Sequence, residues 1–211
     1  MQKQSYAAAF DTLVTMLGAN LAGSSPRQRT FKMRKRLAMT MKSGSLVAGL
    51  ALGAMMALAP AAQAQQATEL GTFNAWSAWS ATDASGLICY ISATPQSSEP
   101  AGANRDPIHF MIIHRKGMGT KNEVQTIIGY PFNTTDAKAS ATIDGKSYPM
   151  VTEGSAAWLA STGDEGGFVQ AFKAGSKLTV KGTSQRGTNT TDSYSLSGAT
   201  AAMNAIDAAC K

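Results

Sequence analysis

The sequence predicts a mainly-β protein, a sandwich or barrel of short strands with two short helices, one of them C-terminal. Short apolar segments alternate with turn residues at intervals of roughly eight to twelve positions. Residues 108–114 are apolar on both faces of a strand, as expected at the centre of a sheet. Two later segments, 164–174 and 197–210, place apolar residues along one helical face, and Ser197 is the expected N-cap of the second helix.

The predicted elements follow in order. A polar lead-in at 65–72 precedes a strand at 73–82, and the turn at 83–86 connects it to a strand at 87–93 in a hairpin. Three prolines make 94–107 an exposed loop. A tight Asp144-Gly145 turn joins the strands predicted at 139–143 and 147–151. The other predicted strands also show apolar alternation; they lie at 108–114, 122–129, 156–159, 178–181 and 190–196.

Residues 33–64 are typical of an export signal. Arg34, Lys35 and Arg36 precede an apolar run at 46–59, and Ala62-Gln63-Ala64 gives the small-x-small pattern of a cleavage site. The apolar run spans about 14 residues, too short for a permanent transmembrane helix. We therefore expect cleavage between Ala64 and Gln65.

The product of that cleavage is a single domain at 65–211, located in the periplasm or cell envelope, with no transmembrane segment once the signal is removed. Residues 1–32 precede the basic segment, and an export signal normally starts close to the initiator. One explanation of residues 1–32 is that translation starts at Met33 and that these residues are an extension of the gene model. The alternative is that they form an unusually long signal n-region.

Charge argues against a nucleic-acid partner. The whole chain has 19 basic and 13 acidic residues, a formal net charge of +6. Residues 1–64 hold 8 of the basic residues and one of the acidic ones, which leaves 11 basic and 12 acidic residues in 65–211. A domain of net charge −1 has no broad basic surface for phosphate backbones.

Both cysteines, Cys89 and Cys210, lie in the mature part. In an oxidising compartment two thiols in one small domain favour a disulfide. A free redox-active cysteine is the competing interpretation, but no Cys-x-x-Cys pair or basic flank supports it.

No residue pattern identifies a catalytic, cofactor or metal site. His109 and His114 lie five positions apart on one strand, on opposite faces, so they are expected to pack and hydrogen-bond and not to share a metal. No serine sits in a Gly-x-Ser-x-Gly elbow. Asp164 and Glu165 beside two glycines fit a helix first turn better than a phosphate or carbohydrate site.

The exposed loops 94–106 and 184–189 provide the candidate partner contacts, Arg105, Gln185 and Arg186. Glycines and hydroxyls at 181–192 favour a structural hairpin, whereas Arg186 at its tip suits an anion or a partner carboxylate. Trp76 and Trp79 alternate along one strand, so only one of them fits easily inside.

The chain from 73 to 211 resembles the invasion-associated locus B family of bacterial exported proteins. The matching segments are RDP at 105–107, NEV at 122–124, IGYPF at 128–132, GSAAW at 154–158, VKGTSQRGT at 180–188, DSYSLSG at 192–198, and the terminal helix ending in Cys210. The resemblance implies an immunoglobulin-like β-sandwich exported to the periplasm or cell envelope. It carries over no catalytic residue, and Cys89–Cys210 is the one disulfide this chain offers.

Founding members of that family are associated with entry of a pathogen into host red cells, while many relatives belong to free-living bacteria. The resemblance thus implies a virulence-associated lineage without one shared molecular task. We expect a non-enzymatic module that binds an envelope or host macromolecule and needs no cofactor. A structural or stress-related envelope protein without a discrete partner, and a small envelope hydrolase acting through His109 or His114, are the alternatives.

Overall fold

The structure is a computed structural model that describes residues 67–211. The expectations for the 1–32 extension, the signal at 33–64 and the Ala64–Gln65 cleavage site lie outside the described residues. None of the helices within 67–211 is long and apolar enough to cross a membrane.

Eleven strands and two α-helices follow one another in the described chain. They are β1 Thr68–Phe73, β2 Trp76–Asp83, β3 Gly86–Ala93, β4 Ser97–Glu99, β5 His109–Arg115, β6 Thr120–Ile127, β7 Ser140–Ile143, β8 Lys146–Glu153, β9 Ala156–Leu159, α1 Glu165–Ala174, β10 Lys177–Thr183, β11 Asn189–Ser195 and α2 Ala199–Ala209.

All strand pairs are antiparallel, in the order β1-β2-β3-β5-β6-β9-β8-β7-β10-β11-β4. Strand β8 pairs with β7 through its first half and with β9 through its second half, so it connects two layers. The first layer contains β1, β2, β3, β5, β6 and β9; the second contains β7, β10, β11 and β4. Phe110 of the first layer packs against Tyr194 of the second with ring centroids 5.8 Å apart. The predicted mainly-β sandwich with two short helices, one C-terminal, is confirmed.

The main core lies between the layers, and both helices contribute to it. Trp76 is fully buried there, packs edge-on against Phe172 of α1 at 4.8 Å, and donates its Nε1–H to the Ser195 carbonyl. Met203 and Ile206 of α2 are also fully buried. The predicted disulfide between Cys89 and Cys210 is confirmed, and it fastens the end of α2 to β3.

A second, smaller cluster lies on the opposite side of the first layer, which we call the outer face. Its buried members are Ala81, Ile88, Tyr90, Met111, Ile113 and Ile127. Trp79 packs against this cluster and Trp76 against the main core, so the two tryptophans lie on opposite faces as predicted.

Three local predictions need correction. The lead-in at 65–72 contributes most of β1, and a turn at 74–75 separates it from β2, where one strand was expected. A bulge between Glu69 and Gly71 breaks the apolar alternation, which hides β1 in the sequence. The loop 94–107 also contains the short strand β4, whose polar residues pair with β11.

The third correction concerns the cap of α2. Ser197 makes no side-chain cap; Gly198 occupies the N-cap position with φ +89°, and a Cβ there would lie 1.9 Å from the Phe73 carbonyl oxygen. The chain thus needs a glycine at this close approach. The Ser197 hydroxyl instead accepts a hydrogen bond from the Asn74 side chain at 3.0 Å.

Candidate functional site

A surface groove brings together all three predicted contact residues, Arg105, Gln185 and Arg186. Its volume is about 550 Å³, and its walls are the loop 100–106 on one side and the tip 184–188 on the other. The 100–106 loop connects β4 to β5 and the tip 184–188 connects β10 to β11, so segments distant in the sequence meet at the groove.

Arg105 supports the groove from beneath. Its Nη1 and Nη2 atoms donate to the two carboxylate oxygens of Asp192 at 2.8 and 2.6 Å. Nε and Nη2 donate to the Ile128 carbonyl at 2.9 and 2.6 Å. The Arg105 side chain is 6% exposed and that of Asp192 fully buried. Its donors are therefore engaged inside the protein, and its expected role as a direct partner contact stays a prediction that this geometry does not favour.

Tyr130 lies beside that ion pair. The Arg105 guanidinium carbon sits 5.1 Å from the centre of the Tyr130 ring, and the Tyr130 hydroxyl lies 2.7 Å from Thr190 Oγ1. Burial raises the pKa of Tyr130, while the bond to Thr190 and the Arg105 charge oppose the rise. The phenol is therefore neutral at physiological pH and presents its ring to the groove.

Gly129 fixes the position of the 100–106 loop. Its φ is +78°, and a Cβ on it would lie 2.3 Å from the Asp106 carbonyl oxygen. The Asp106 N–H donates to the Gly129 carbonyl at 2.9 Å. Any side chain at 129 would push this loop away from β6.

The tip 184–188 is ordered by its own hydrogen bonds. The Ser184 N–H donates to the Thr188 carbonyl, and the Gly187 N–H donates to the Ser184 carbonyl. The Gln185 N–H donates across the groove to the Pro131 carbonyl at 3.0 Å. Both interpretations of this run are thus compatible, since a structured hairpin leaves the side chains of Gln185 and Arg186 exposed.

The exposed charged residues that line the groove are one carboxylate, Asp106, and one cation, Arg186. Within residues 67–211 no carboxylate lies within ion-pairing distance of the Arg186 side chain, in contrast to that of Arg105. An exposed guanidinium on a fixed loop suits a carboxylate or another anionic group of a partner.

A second cavity of about 480 Å³ lies on the other side of the 100–106 loop and shares Pro100, Ala103, Arg105 and Asp106 with the groove. His109 lines it, and burial lowers the pKa of this imidazole below 6.5. With Pro95 and Ile108 around it, this cavity is mainly apolar.

His114 lies at the far end of β5, where it is buried and hydrogen-bonded, as predicted. Its Nδ1 accepts the Asn122 N–H at 3.2 Å, and its Nε2 lies 3.1 Å from Asp207 Oδ1 on α2. Lys121 and Lys173 also contact Asp207, at 3.0 and 3.2 Å. This polar cluster connects α2 to the first layer and to α1.

Asp164 and Glu165 begin α1, which is the structural role expected for them. Burial, with repulsion from Glu123, raises the pKa of Glu165 to about 7. Across the described residues, no group of three or more His, Cys, Asp or Glu side chains is arranged to hold a metal ion.

Sequence reasoning missed the supports of the groove, Asp192, Gly129 and Tyr130. An isolated acid or glycine gives no signal of its own, because the pairing with Arg105 spans 87 residues of sequence. These three residues do fall in segments that carry the family resemblance. Three such segments, 105–107, 128–132 and 180–188, meet around the groove.

Comparison with known proteins places this geometry in a family. The family model described as invasion associated locus B protein matches residues 76–207, more than half of the chain. A crystal structure of invasion associated protein b from Bartonella henselae aligns with a TM-score of 0.45 and 15% identity, covering 67% of this chain and 97% of that one. No curated protein matches the chain. Because the family model spans both layers of the sandwich and both helices, the chain belongs to the invasion associated locus B family.

Proposed function

We propose that this chain is an exported cell-envelope protein that binds another macromolecule without catalysing a reaction. Its export rests on the basic and apolar leader that ends in Ala62-Gln63-Ala64. The Cys89–Cys210 disulfide is compatible with an oxidising compartment such as the periplasm.

The binding role rests on one observation: the groove presents Gln185 and Arg186 from an ordered tip, above a base stabilised by the Arg105–Asp192 pair. A rigid base lowers the entropic cost of binding, because the contact residues are positioned before the partner arrives. The aromatic ring of Tyr130 and the apolar Pro100 and Pro131 add surface that a partner can bury.

The chemistry of the groove indicates the kind of partner. Arg186 selects an anionic group, and the groove volume of about 550 Å³ accommodates a few residues of a protein segment. We therefore propose an envelope or host protein that inserts a short segment carrying a carboxylate. In pathogenic members of the family such a partner would be the route to a role in host-cell invasion.

A capture experiment tests this function. The mature chain, 65–211, is immobilised in three forms, wild type, Arg186→Ala and Lys116→Ala, and incubated with envelope extract from the native host. Lys116 is the matched control, since it is an exposed cation at the opposite end of β5, about 20 Å from the groove. We expect one protein to be retained by wild type and Lys116→Ala and to be depleted about tenfold by Arg186→Ala.

Equal recovery on all three forms, or recovery of nothing, would count against the proposed binding role. The export component has a separate readout. The intact mass of the product purified from its native host is expected to correspond to a chain starting at Gln65.

A further inference from the structure

The groove and the second cavity lie on either side of the loop 100–106. Pro100, Ala103, Arg105 and Asp106 line both of them. Their volumes are about 550 and 480 Å³, and only the thickness of one loop separates them. A partner segment that lies in the groove therefore has the second cavity within reach.

The loop 100–106 is fixed by its own hydrogen bonds and by its neighbours. The Ala103 N–H donates to the Pro100 carbonyl at 3.4 Å, which closes a turn within the loop. The Asp106 N–H donates to the Gly129 carbonyl at 2.9 Å, and the buried arginine of the loop is held by the ion pair described above. Both sides of the loop are thus shaped before a partner arrives, which lowers the entropic cost of binding across it.

The second cavity has the chemistry of a pocket for an apolar side chain. Pro95, Pro107 and Ile108 supply apolar wall, and Ile108 is only half-buried, so it retains surface that a ligand can cover. Burial lowers the pKa of His109, which keeps its imidazole neutral at physiological pH, and the guanidinium of Arg105 is already engaged in its ion pair. The cavity therefore favours an apolar side chain over a charged one.

Two exposed charges determine how a segment can lie across the loop 100–106. Asp106 lines both the groove and the second cavity, whereas Arg186 lies on the far wall of the groove and does not line the cavity. Among residues 67–211 no ion pair includes either side chain. A partner carboxylate is therefore attracted to Arg186 and repelled from the loop, so the part of the segment that crosses the loop carries no acidic residue.

We infer that the partner segment has two anchors: an acidic residue that pairs with Arg186 in the groove, and a large apolar residue that enters the second cavity across the loop 100–106. This inference rests on the proposed binding function and specifies its partner further. An extended segment advances about 3.3 Å per residue, so a loop one backbone wide, roughly 5 to 10 Å, is crossed by about two or three residues. The two anchors are therefore expected about two to four positions apart, with no second acid between them.

Selection of phage-displayed peptides tests the inference. A library of random short peptides is selected on the mature chain, 65–211. The enriched peptide is then synthesised unchanged, with its acid replaced by the corresponding amide, and with its large apolar residue replaced by alanine. Fluorescence anisotropy gives the Kd of each peptide for the wild type and for Arg186→Ala, Thr94→Asp, Thr94→Lys and Thr162→Asp.

Thr94 is the position that separates the two anchors. It is exposed and lines the second cavity but not the groove, so a charge there alters the apolar pocket and leaves the core intact. An apolar side chain is disfavoured beside a charge of either sign, whereas a purely electrostatic effect on the acid of the peptide would be opposite for Thr94→Asp and Thr94→Lys. Thr162 is the matched control, because it is exposed and lines neither the groove nor the second cavity.

We expect the enriched peptides to share an acidic and a large apolar residue at the spacing given above. Arg186→Ala should weaken the unchanged peptide about tenfold and remove the effect of the amide replacement. Thr94→Asp and Thr94→Lys should each weaken it about tenfold and reduce the effect of the alanine replacement, while Thr162→Asp should leave the Kd unchanged.

The outcomes separate this inference from the proposed function. Enriched peptides that share an acid but no apolar residue overturn this inference alone, as does a Kd that is insensitive to both Thr94 variants or equally weakened by Thr162→Asp. If selection yields no peptide whose binding depends on Arg186, the proposed binding function of the groove fails, and this inference fails with it.

Discussion

Arg105 bonds both carboxylate oxygens of Asp192, 87 residues away along the chain, at 2.8 and 2.6 Å. This pair joins the loop 100–106, which connects β4 to β5, to strand β11 under the groove where Gln185 and Arg186 are exposed. The site therefore depends on an internal ion pair, and the first prediction concerns it.

Asp192→Asn should destabilise the fold by about 3 to 5 kcal/mol, because it leaves the Arg105 charge buried without a counter-ion. The urea midpoint measures this loss. Arg186→Ala serves as the control and should leave the midpoint unchanged, since that side chain is exposed. Equal stability of Asp192→Asn and the wild type would show that the buried pair is not needed.

Gly129→Ala should cost more stability than Gly145→Ala. Both glycines have positive φ, +78° and +94°, but a Cβ at 129 meets the Asp106 carbonyl oxygen whereas nothing lies within 4 Å of one at 145. Thermal unfolding gives the free energy of unfolding of each variant. We expect Gly129→Ala to be less stable than Gly145→Ala by about 1 to 3 kcal/mol, because only at position 129 does the new Cβ contact the loop. Identical losses would contradict that contact.

Reduction of the disulfide should lower the free energy of unfolding by about 4 to 5 kcal/mol, since Cys89 and Cys210 close a loop with a sequence separation of 121 residues. Urea unfolding with and without dithiothreitol gives the value. A Cys89→Ser, Cys210→Ser double variant should match the reduced protein and show no response to the reductant. A response of that variant would point to another target of dithiothreitol.

The contribution of the two buried histidines to stability should fall as the pH drops below about 6.5, whereas Glu165, whose pKa is raised to about 7, contributes in the opposite direction, so a histidine variant is needed to isolate the first effect. Burial lowers the pKa of His114, although hydrogen bonding and the charge of Asp207 partly oppose it, and burial also lowers the pKa of His109. The unfolded chain binds protons first, so the stabilisation present above the ordinary pKa of histidine is lost on acidification. Protonation of His114 Nδ1 would also remove the bond from the Asn122 N–H.

Urea midpoints at pH 7.5 and 5.5 measure this dependence. His114→Gln should lower the midpoint at pH 7.5 and reduce the difference between the two pH values. The charged groups around His114 are Asp207, which lies 3.1 Å from its Nε2, and Lys121 and Lys173, which both contact Asp207. An unchanged difference in the variant would assign the pH dependence to other groups.

Local signals in the sequence predicted much of this fold. Asp144-Gly145 forms the β7–β8 turn, and the doubly apolar stretch became the fully buried central strand β5. The two helices were also predicted, because their apolar stripes are clear in the sequence. The two strands at the sheet edges were not predicted from the sequence. Strand β4 is polar and β1 contains a bulge, so neither shows an alternating apolar pattern.

The site was only half predictable. The predicted loop tip identified Gln185 and Arg186 as exposed, but Arg105 was predicted to have the same role. Only the folded chain shows that Arg105 donates its hydrogen bonds to Asp192 and Ile128. The outer face could not be predicted from the sequence either, because an apolar pattern on both faces of a strand does not indicate what covers each face. Its unpaired Tyr90 and Gln125 atoms become visible only in three dimensions.

Site-specific photocrosslinking in living cells tests the central claim most directly. A photoreactive residue replaces Gln185 at the groove or Lys116 at the opposite end of β5, in the full-length chain expressed by its native host. A binding groove in an exported protein predicts one discrete adduct from position 185, absent from position 116, on a chain that has lost its leader. The same adduct pattern at both positions, or none at 185, would contradict it.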